Sequence, residues 1–262
     1  MSLTNYAEDL FLMHIFVSAQ TAPSAWYLAF HKADPTEFGT GTECSGGGYA
    51  RTAITFAAAS GRTITQTGDV DFPSASGSWG TITHYSIWDA QTVGNMLAYG
   101  ALSTSKSVTT GNQPTVADGQ VVITVNSGGC STYLATIMLD WLFRNQAYSK
   151  PNTYLALCTV TVVDADTGST ITEPTVSSTT NYDRVEVTDW ENVSSGGINI
   201  TNDFDIVFGP PLDAWGNIID LAIADAATVG NLLIYSNAAF DEFPDNGDVV
   251  QFAAGALDIT LG

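Results

Sequence analysis

The sequence predicts a mainly β protein: two tandem, homologous antiparallel β-sandwich domains, each α+β in detail because it opens with one N-terminal helix. Three observations lead there. A hairpin-like motif is written twice, as DAQTVGNMLAY over Asp89–Tyr99 and DAATVGNLLIY over Asp225–Tyr235, identical at eight of eleven positions and 136 residues apart. The composition is rich in turn formers and poor in charge, with 24 Gly, 9 Pro and 13% charged residues, about half the usual globular share. Short apolar–polar alternations bounded by Gly, Pro, Asn and Ser recur along the chain, the pattern of strands with one buried face.

The elements follow in order, each appearing twice. Tyr6–Phe16 aligns with Tyr133–Phe143 at a separation of 127, with apolar residues matched at Leu10/Ile137, Phe11/Met138, Leu12/Leu139, Ile15/Leu142 and Phe16/Phe143. That spacing predicts a helix. Ser2 or Thr4 can cap the first copy and Ser131 or Thr132 the second. Pro23 and Pro151 stop the helices and precede the strand-like runs AWYLAF and NTYLAL. GGGYARTAITF and TTNYDRVEVTDW come next, with Tyr49 and Arg51 matched to Tyr182 and Arg184 at a separation of 133. Phe72 then matches Phe208, and Trp79-Gly80 matches Trp215-Gly216, now 136 apart. ITHYSIWDA and IIDLAIADA lead into the repeated motif. The copies close on GNQPTVADGQVVITV and GDVVQFAAGALDITL. Each copy therefore reads as one helix and then six to eight short strands.

The chain is a tandem duplication of a first unit, residues 1–126, and a second, diverged unit, residues 127–262, meeting in the Gly-rich NSGGC of residues 126–130. Units of this size can each hold a core, which argues for paired domains and against a solenoid. The repeated motif is then a strand, a Gly-Asn turn at Gly94-Asn95 or Gly230-Asn231, and a returning strand. It is expected to set register and to carry no chemistry.

Composition also bounds the partners. There are 27 acidic and 7 basic residues, a net charge of -20. Nucleic-acid binding needs clustered Lys and Arg, and no window holds three basic residues close together. Neither nucleic acid nor an anionic membrane is an expected partner. The acidity keeps the particle soluble, and it also suits docking onto a basic surface. No apolar run approaches the ~18 residues of a membrane span. MSLTNYAEDLFLMHIFV lacks the basic start of a signal peptide, so synthesis without export is expected. Cys44, Cys130 and Cys158 form no CxxC pair, which disfavours a disulfide framework or a thiolate metal site. Cys158, inside YLALC, is expected to be a small buried hydrophobe.

No catalytic, cofactor-binding or metal-binding residue is nominated, and no cofactor is expected. His14, His31 and His84 correspond to Trp141, Cys158 and Asp220 in the second unit, and surface histidines are the expected reading. GxSxG, HExxH and GxxxxGK[ST] do not occur. Ser45–Tyr49 (SGGGY) follows no clear strand and lacks a Lys, so it reads as a flexible turn. Asp164-Ala-Asp166-Thr-Gly168 opens like a calcium loop but lacks the closing ligands. It reads first as a solvated turn, as does the acidic stretch from Asp241 to Asp248. Most of Trp79, Trp88, Trp190 and Trp215 are expected in the core. Any exposed subset would offer a patch for a sugar or a protein.

The first unit also resembles a known family. Trp26-Tyr-Leu-Ala-Phe30, Ala33-Asp-Pro-Thr36, Gly39-Thr-Gly-Thr-Glu43, Ser45-Gly-Gly-Gly-Tyr-Ala-Arg51, AITFAAASG, FPSASGSWGTITHYSIWDA, GNMLAYGAL and TSKSVTTGN occur in order. They resemble short, tail-fibre-like virion proteins of tailed bacteriophages. The second unit has lost ADPT and SGGGYAR and kept the hairpin and the closing segment. The resemblance implies a non-enzymatic structural protein of the virion. On that reading its partners are other virion proteins, the major capsid protein or tail and baseplate proteins, and it forms a homo-oligomer. The chain has no shaft, collagen-like run or heptads. The expectation is therefore an accessory protein on the capsid exterior, a decoration, cement or short head fibre. The alternatives are a tail fibre or baseplate adhesin, and then a carbohydrate-binding or carbohydrate-active protein. Loops 31–48 and 160–181 differ most between the units and are the expected seats of divergent contacts.

Overall fold

Alternation of β-branched and small residues in GTITHYSIW and MLAYGALSTSKSV yields the longest hairpin of the protein, Gly80–Trp88 paired with Met96–Val108. The computed structural model describes residues 1–40, 43–192, 199–236 and 242–260. Its hairpin buries Ile82, Ile87, Met96 and Leu97. It sits inside a five-stranded antiparallel sheet ordered Ser2–Leu3, Met96–Val108, Gly80–Trp88, Tyr27–His31, Thr52–Ala53. A three-stranded sheet, Val122–Thr124, Thr63–Thr67 and Thr55–Phe56, and the pair Val70–Asp71 with Thr115–Val116 complete the first repeat.

The second repeat reproduces this order. Leu232–Tyr235, Asp220–Ala224, Tyr154–Cys158 and Val185–Glu186 form the large sheet. Asp258–Thr260, Asn199–Asn202 and Trp190–Asn192 form the second, and Ile206–Val207 pairs with Gln251–Phe252. Register is copied residue for residue. Tyr27 faces Trp88 as Tyr154 faces Ala224, and Leu28 faces Thr52 as Leu155 faces Val185. Leu3 opposite Ala98 becomes the single bridge of Cys130 to Ile234. A one-residue slip would turn every inward side chain outward, so the shared register means a shared core. The protein is mainly β, built from antiparallel sheets and duplicated. Its strands are more numerous than the expected six to eight, ten in the first repeat and nine in the second among the described residues. Short loops break what the sequence pattern reads as single runs; Ile54, for example, separates Thr52–Ala53 from Thr55–Phe56.

Each core is centred on the same three rings. Tyr49 and Phe72 stack at 6.3 Å while Trp79 meets Tyr49 edge-on at 5.2 Å. Tyr182 and Phe208 stack at 6.1 Å while Trp215 meets Tyr182 at 5.3 Å. Both indoles are tied to matched backbone: Trp79 Nε1 donates to Gly47 O at 2.9 Å and Trp215 Nε1 to Thr180 O at 2.7 Å. Rings at these separations add directional attraction to the area they bury.

The helices begin alike. Thr4 Oγ1 accepts from Ala7 N and donates to Met96 O, and Ser131 Oγ accepts from Leu134 N and donates to Leu232 O. One hydroxyl thus caps each helix and ties it to the large sheet. The first helix, Asn5–Leu12, runs into a π-helical turn, Met13–Val17, closed by Ser18 N to Met13 O at 2.8 Å. The second is a single helix, Thr132–Arg144.

The packed units are cut differently from the repeats. One comprises residues 1–11, 21–125 and 136–148, and the other 12–20, 126–135 and 149–262. Each therefore contains a helical segment belonging to the other repeat. In the first unit Phe143 packs on Phe56 at 5.4 Å, Trp26 Nε1 donates to Leu142 O, and Ala59 N donates to Asp140 Oδ1. In the second, Phe16 meets Trp190 edge-on at 5.0 Å and Asn192 reaches Met13 Sδ. Phe16 and Phe143 occupy the same place in the repeat.

Candidate functional site

The best-formed polar cluster is built twice. Arg51 and Arg184 are two of only seven basic residues, and both are buried. Arg51 Nε and NH2 donate to Glu43 Oε1 and Oε2 at 2.9 and 2.8 Å, and NH1 donates to Ala90 O and Val93 O at 3.0 and 2.7 Å. Arg184 does the same to Glu173, with Nε at 3.0 Å and NH2 at 2.7 Å, and to Ala226 O and Val229 O at 2.9 Å each. A tyrosine completes each set. Tyr49 OH donates to Glu43 and accepts from Phe30 N; Tyr182 OH donates to Glu173 and accepts from Leu157 N. Burial first, and the nearby glutamate second, push both phenols far above the usual tyrosine range, so they remain donors.

This cluster braces the repeated motif from below. The motif is not a two-residue turn but a longer loop. Asp89 Oδ1 and Oδ2 accept from the backbone N–H and side-chain amide of Asn95, and Asp225 does the same for Asn231. Val93 and Val229 lie in the left-handed region at φ 59°, followed by Gly94 at 71° and Gly230 at 74°. A Cβ on either glycine would come within 2.4 Å of the aspartate Oδ1, which explains why both copies keep Gly there. A β-branched residue in this region is strained, and the two carbonyls held by the arginine over-determine it. Both valines are exposed at the tip.

The copies differ in how they finish the brace. Arg51 lies 3.6 Å above the ring of Trp88, a favourable cation–π geometry. Ala224 stands at the matching place, and Gly168 O accepts from Arg184 NH2 instead. A Cβ on Gly168 would approach Val229 O to 2.0 Å. Chemically the cluster is saturated: each carboxylate is held by a guanidinium and a phenol of its own chain. It is a tie internal to the protein.

Glu173 carries no motif that marks it in the sequence, and Glu43, which closes Gly39-Thr-Gly-Thr-Glu43, is marked only by the resemblance. They lie 130 residues apart, between the separations of the flanking matches, inside the two loops expected to diverge most. Those loops therefore deliver a shared feature, the glutamate of the brace.

The other candidates fall as follows. His14 and His31 are buried, not at the surface, and His84 is half-buried. His14 Nδ1 accepts from Gln20 N at 3.0 Å. His31 ends a strand on its inward face, and its Nε2 lies 2.6 Å from Ser86 Oγ, which also accepts from Trp88 Nε1. Its Nδ1 has no hydrogen-bond partner. All three cysteines are buried; burial pushes Cys44 up to about 11 and Cys158 higher still. The Asp164–Gly168 stretch is a turn. Asp166 accepts from Val163 N and Thr170 Oγ1, and Asp164 accepts from the Tyr235 hydroxyl. Asp241 lies outside the described residues, and Asp245 and Asp248 close a turn on each other. SGGGY is a packed turn, since a Cβ on Gly47 would meet Gly77 O at 2.6 Å. Trp79, Trp88, Trp190 and Trp215 are all core. The exposed aromatics among the described residues are instead Tyr6, Phe38, Phe204 and Phe243.

His31 gives a pH signature. Burial lowers its pKa to about 4, below the ordinary 6.5. The stability this contributes is present above pH 6.5 and is lost as pH falls towards 4, because the unfolded chain takes the proton first. Glu8, pushed up to about 7 by burial and by Glu37, acts in the opposite direction over nearly the same range. The difference between wild type and His31→Cys, the residue found in the second repeat, isolates the first effect. Chemical unfolding from pH 7.5 to 4.5 should show a smaller acid loss in the variant; parallel curves would contradict the assignment.

A family model described as podophage GP4 fiber I protein gp80 matches residues 2–124 and again residues 129–260. The chain belongs to this family. Two matched segments in one chain agree with the tandem duplication seen in strand order and register. Membership in the gp80 fibre family makes the protein a phage structural protein of fibre type and a component of the virion. No curated protein matches the sequence. Among the described residues, no helix is long and apolar enough to cross a membrane, and no group of three or more His, Cys, Asp or Glu is placed to hold a metal ion.

Proposed function

We propose that this gp80-family protein is a non-enzymatic accessory protein on the exterior of the phage particle, a short fibre or decoration attached to the head. The observation that carries the non-enzymatic reading is the doubled brace. Its carboxylates accept from the arginine and tyrosine side chains, and its guanidiniums and phenols bond the protein's own backbone, in both copies. Head attachment is supported by form: each packed unit is a set of short sheets around its own aromatic core, with no extended shaft in the sequence. Its partners on this reading are other virion proteins, with further copies of itself around a symmetric attachment point.

The fibre description of the family favours a second reading, a tail fibre or baseplate adhesin. Copy number separates the two. Quantitative mass spectrometry of purified particles, scaled to the major capsid protein, should give on the order of hundreds of copies for a head-lattice protein. From three to about eighteen would follow tail symmetry and replace the head reading. Absence from the particle would overturn both.

A further inference from the structure

Unit 2 carries an apolar face that the matching positions of the first repeat do not have. A cleft of about 510 Å³ has Leu157 and Ile218 in its floor, Phe243 and Val249 in its walls, and Glu242 and Asp248 at its rim. The floor residues are fully buried, whereas Phe243 is 65% and Val249 76% exposed. The floor differs between the repeats. Where the second repeat has Leu157, the first has Phe30, whose ring stacks on Phe72 at 4.1 Å. In the second repeat Phe208 is met instead by Phe252, which stands for Val116, at 6.3 Å.

The wall substitutions run the same way. The backbone pairing of this region is copied at a separation of 136: Phe208 N donates to Val250 O as Phe72 N does to Pro114 O, and Trp215 N to Pro244 O as Trp79 N to Val108 O. At that separation Phe243 stands for Ser107 and Val249 for Gln113. Val207 and Leu212, also exposed and bonded to the same segment, stand for Asp71 and Ser76. All four positions are exposed in both repeats. Fold geometry therefore does not demand apolar side chains there, and water disfavours them.

Charge selects what covers the face. At the rim, Glu242 replaces Lys106 and Asp248 replaces Asn112. Beyond Arg184 the sequence contains no Lys, Arg or His at all. A second copy laid on the same face would set acid against acid with no cation to offset it. Anionic lipid or nucleic acid is repelled for the same reason.

We infer that this cleft is a docking site for a segment of another protein that presents apolar side chains between lysines or arginines. The apolar groups fill the space above Leu157 and between Phe243 and Val249, and the cations meet Glu242 and Asp248. Such an anchor combines a desolvated apolar centre with a charged rim that steers association. The inference deepens the proposed virion role, naming the chemistry of attachment, and rests on that role only for the identity of the partner.

The site is tested first with a defined probe and the full chain. A short synthetic peptide alternating leucine with lysine is titrated by isothermal calorimetry at low and high salt, beside the same peptide with glutamate for lysine. The lysine peptide should bind, weaken as salt rises, and weaken at least about tenfold on F243S/V249Q. Those residues come from the first repeat and leave the charge unchanged. E242K/D248N should also weaken it and flatten the salt dependence, which guards against a fold defect in the first variant. Equal binding to wild type and F243S/V249Q would show attraction to net charge alone and overturn the inference. Equal binding of the glutamate peptide, or a wild-type oligomer that F243S/V249Q dissolves in sedimentation, would overturn it in favour of an uncharged ligand or a second copy. The virion role is read separately, by adding recombinant wild type to particles lacking the protein. If the wild type does not attach, the virion role fails while the peptide result stands. If wild type and F243S/V249Q attach equally, the docking site fails and the virion role stands.

Discussion

Arg184→Ala is expected to cost about 3–5 kcal/mol of folding stability, read as a lowered midpoint in urea with an unchanged slope. The side chain is 4% exposed and its partner Glu173 15%. Removing it leaves a nearly buried carboxylate without its counter-ion, and it strips the hydrogen-bond donor from Ala226 O, Val229 O and Gly168 O. A buried acceptor left unmade costs more than the bond contributed. Arg184→Lys should not rescue, because an ammonium cannot span two carboxylate oxygens and three carbonyls as a planar fork does. Adding Glu173→Ala to Arg184→Ala should recover part of the loss, since the uncompensated charge goes with it. Arg51→Ala should cost less, because Glu43 is 27% exposed and water can take up part of its charge. A loss below about 1 kcal/mol for Arg184→Ala, the range of a surface pair, would refute the brace.

The second large effect concerns the exchanged helical segments. Residues 129–262 expressed alone should fail to unfold cooperatively, although they contain a whole sequence repeat. The packed unit built on that repeat also needs residues 12–20. Ile15 and Phe16 in that segment are fully buried, and Phe16 covers the edge of Trp190. Losing one buried Phe costs about 3–5 kcal/mol, against a total stability of about 5–15 kcal/mol for a domain. In the intact chain, Phe16→Ala should show that single-residue cost. A chimaeric chain joining residues 1–20 to 129–262 through a flexible linker should regain a sharp transition. Cooperative unfolding of 129–262 by itself, with wild-type-like near-ultraviolet dichroism, would contradict the exchange.

Much of the fold was legible in the residues. Both helix caps fell among the residues predicted for them, because a hydroxyl before an apolar helical run has few other uses. Cys158 was readable as core from its neighbours. The repeated motif was readable as a hairpin, but its loop was misjudged. Gly94 and Gly230 do adopt the positive φ that a Gly-Asn pair tolerates, and the approach of Asp89 and Asp225 is a second requirement that the sequence did not show. The histidines went wrong for a related reason. A polar residue at a strand end reads as solvated unless its hydrogen-bond partner on the neighbouring strand is known, and Ser86 is 55 residues from His31.

The duplication, its separations and the matched apolar positions were determined by the sequence alone, because register and core membership are written in side-chain period and in which residues recur. The acid excess was likewise complete in the composition. Three things were decided only in three dimensions. The brace joins Glu43, Arg51 and the carbonyls of a loop some forty residues on, and insertions hid its glutamates from alignment. The exchange of helical segments depends on which sheet offers the open aromatic face, a property of packing that a repeat boundary does not carry. The apolar cleft beside Phe243 lies over Leu157, which stands where Phe30 stands in the other copy. Its walls come from residues nearly a hundred positions further on, so it exists only once the chain has folded.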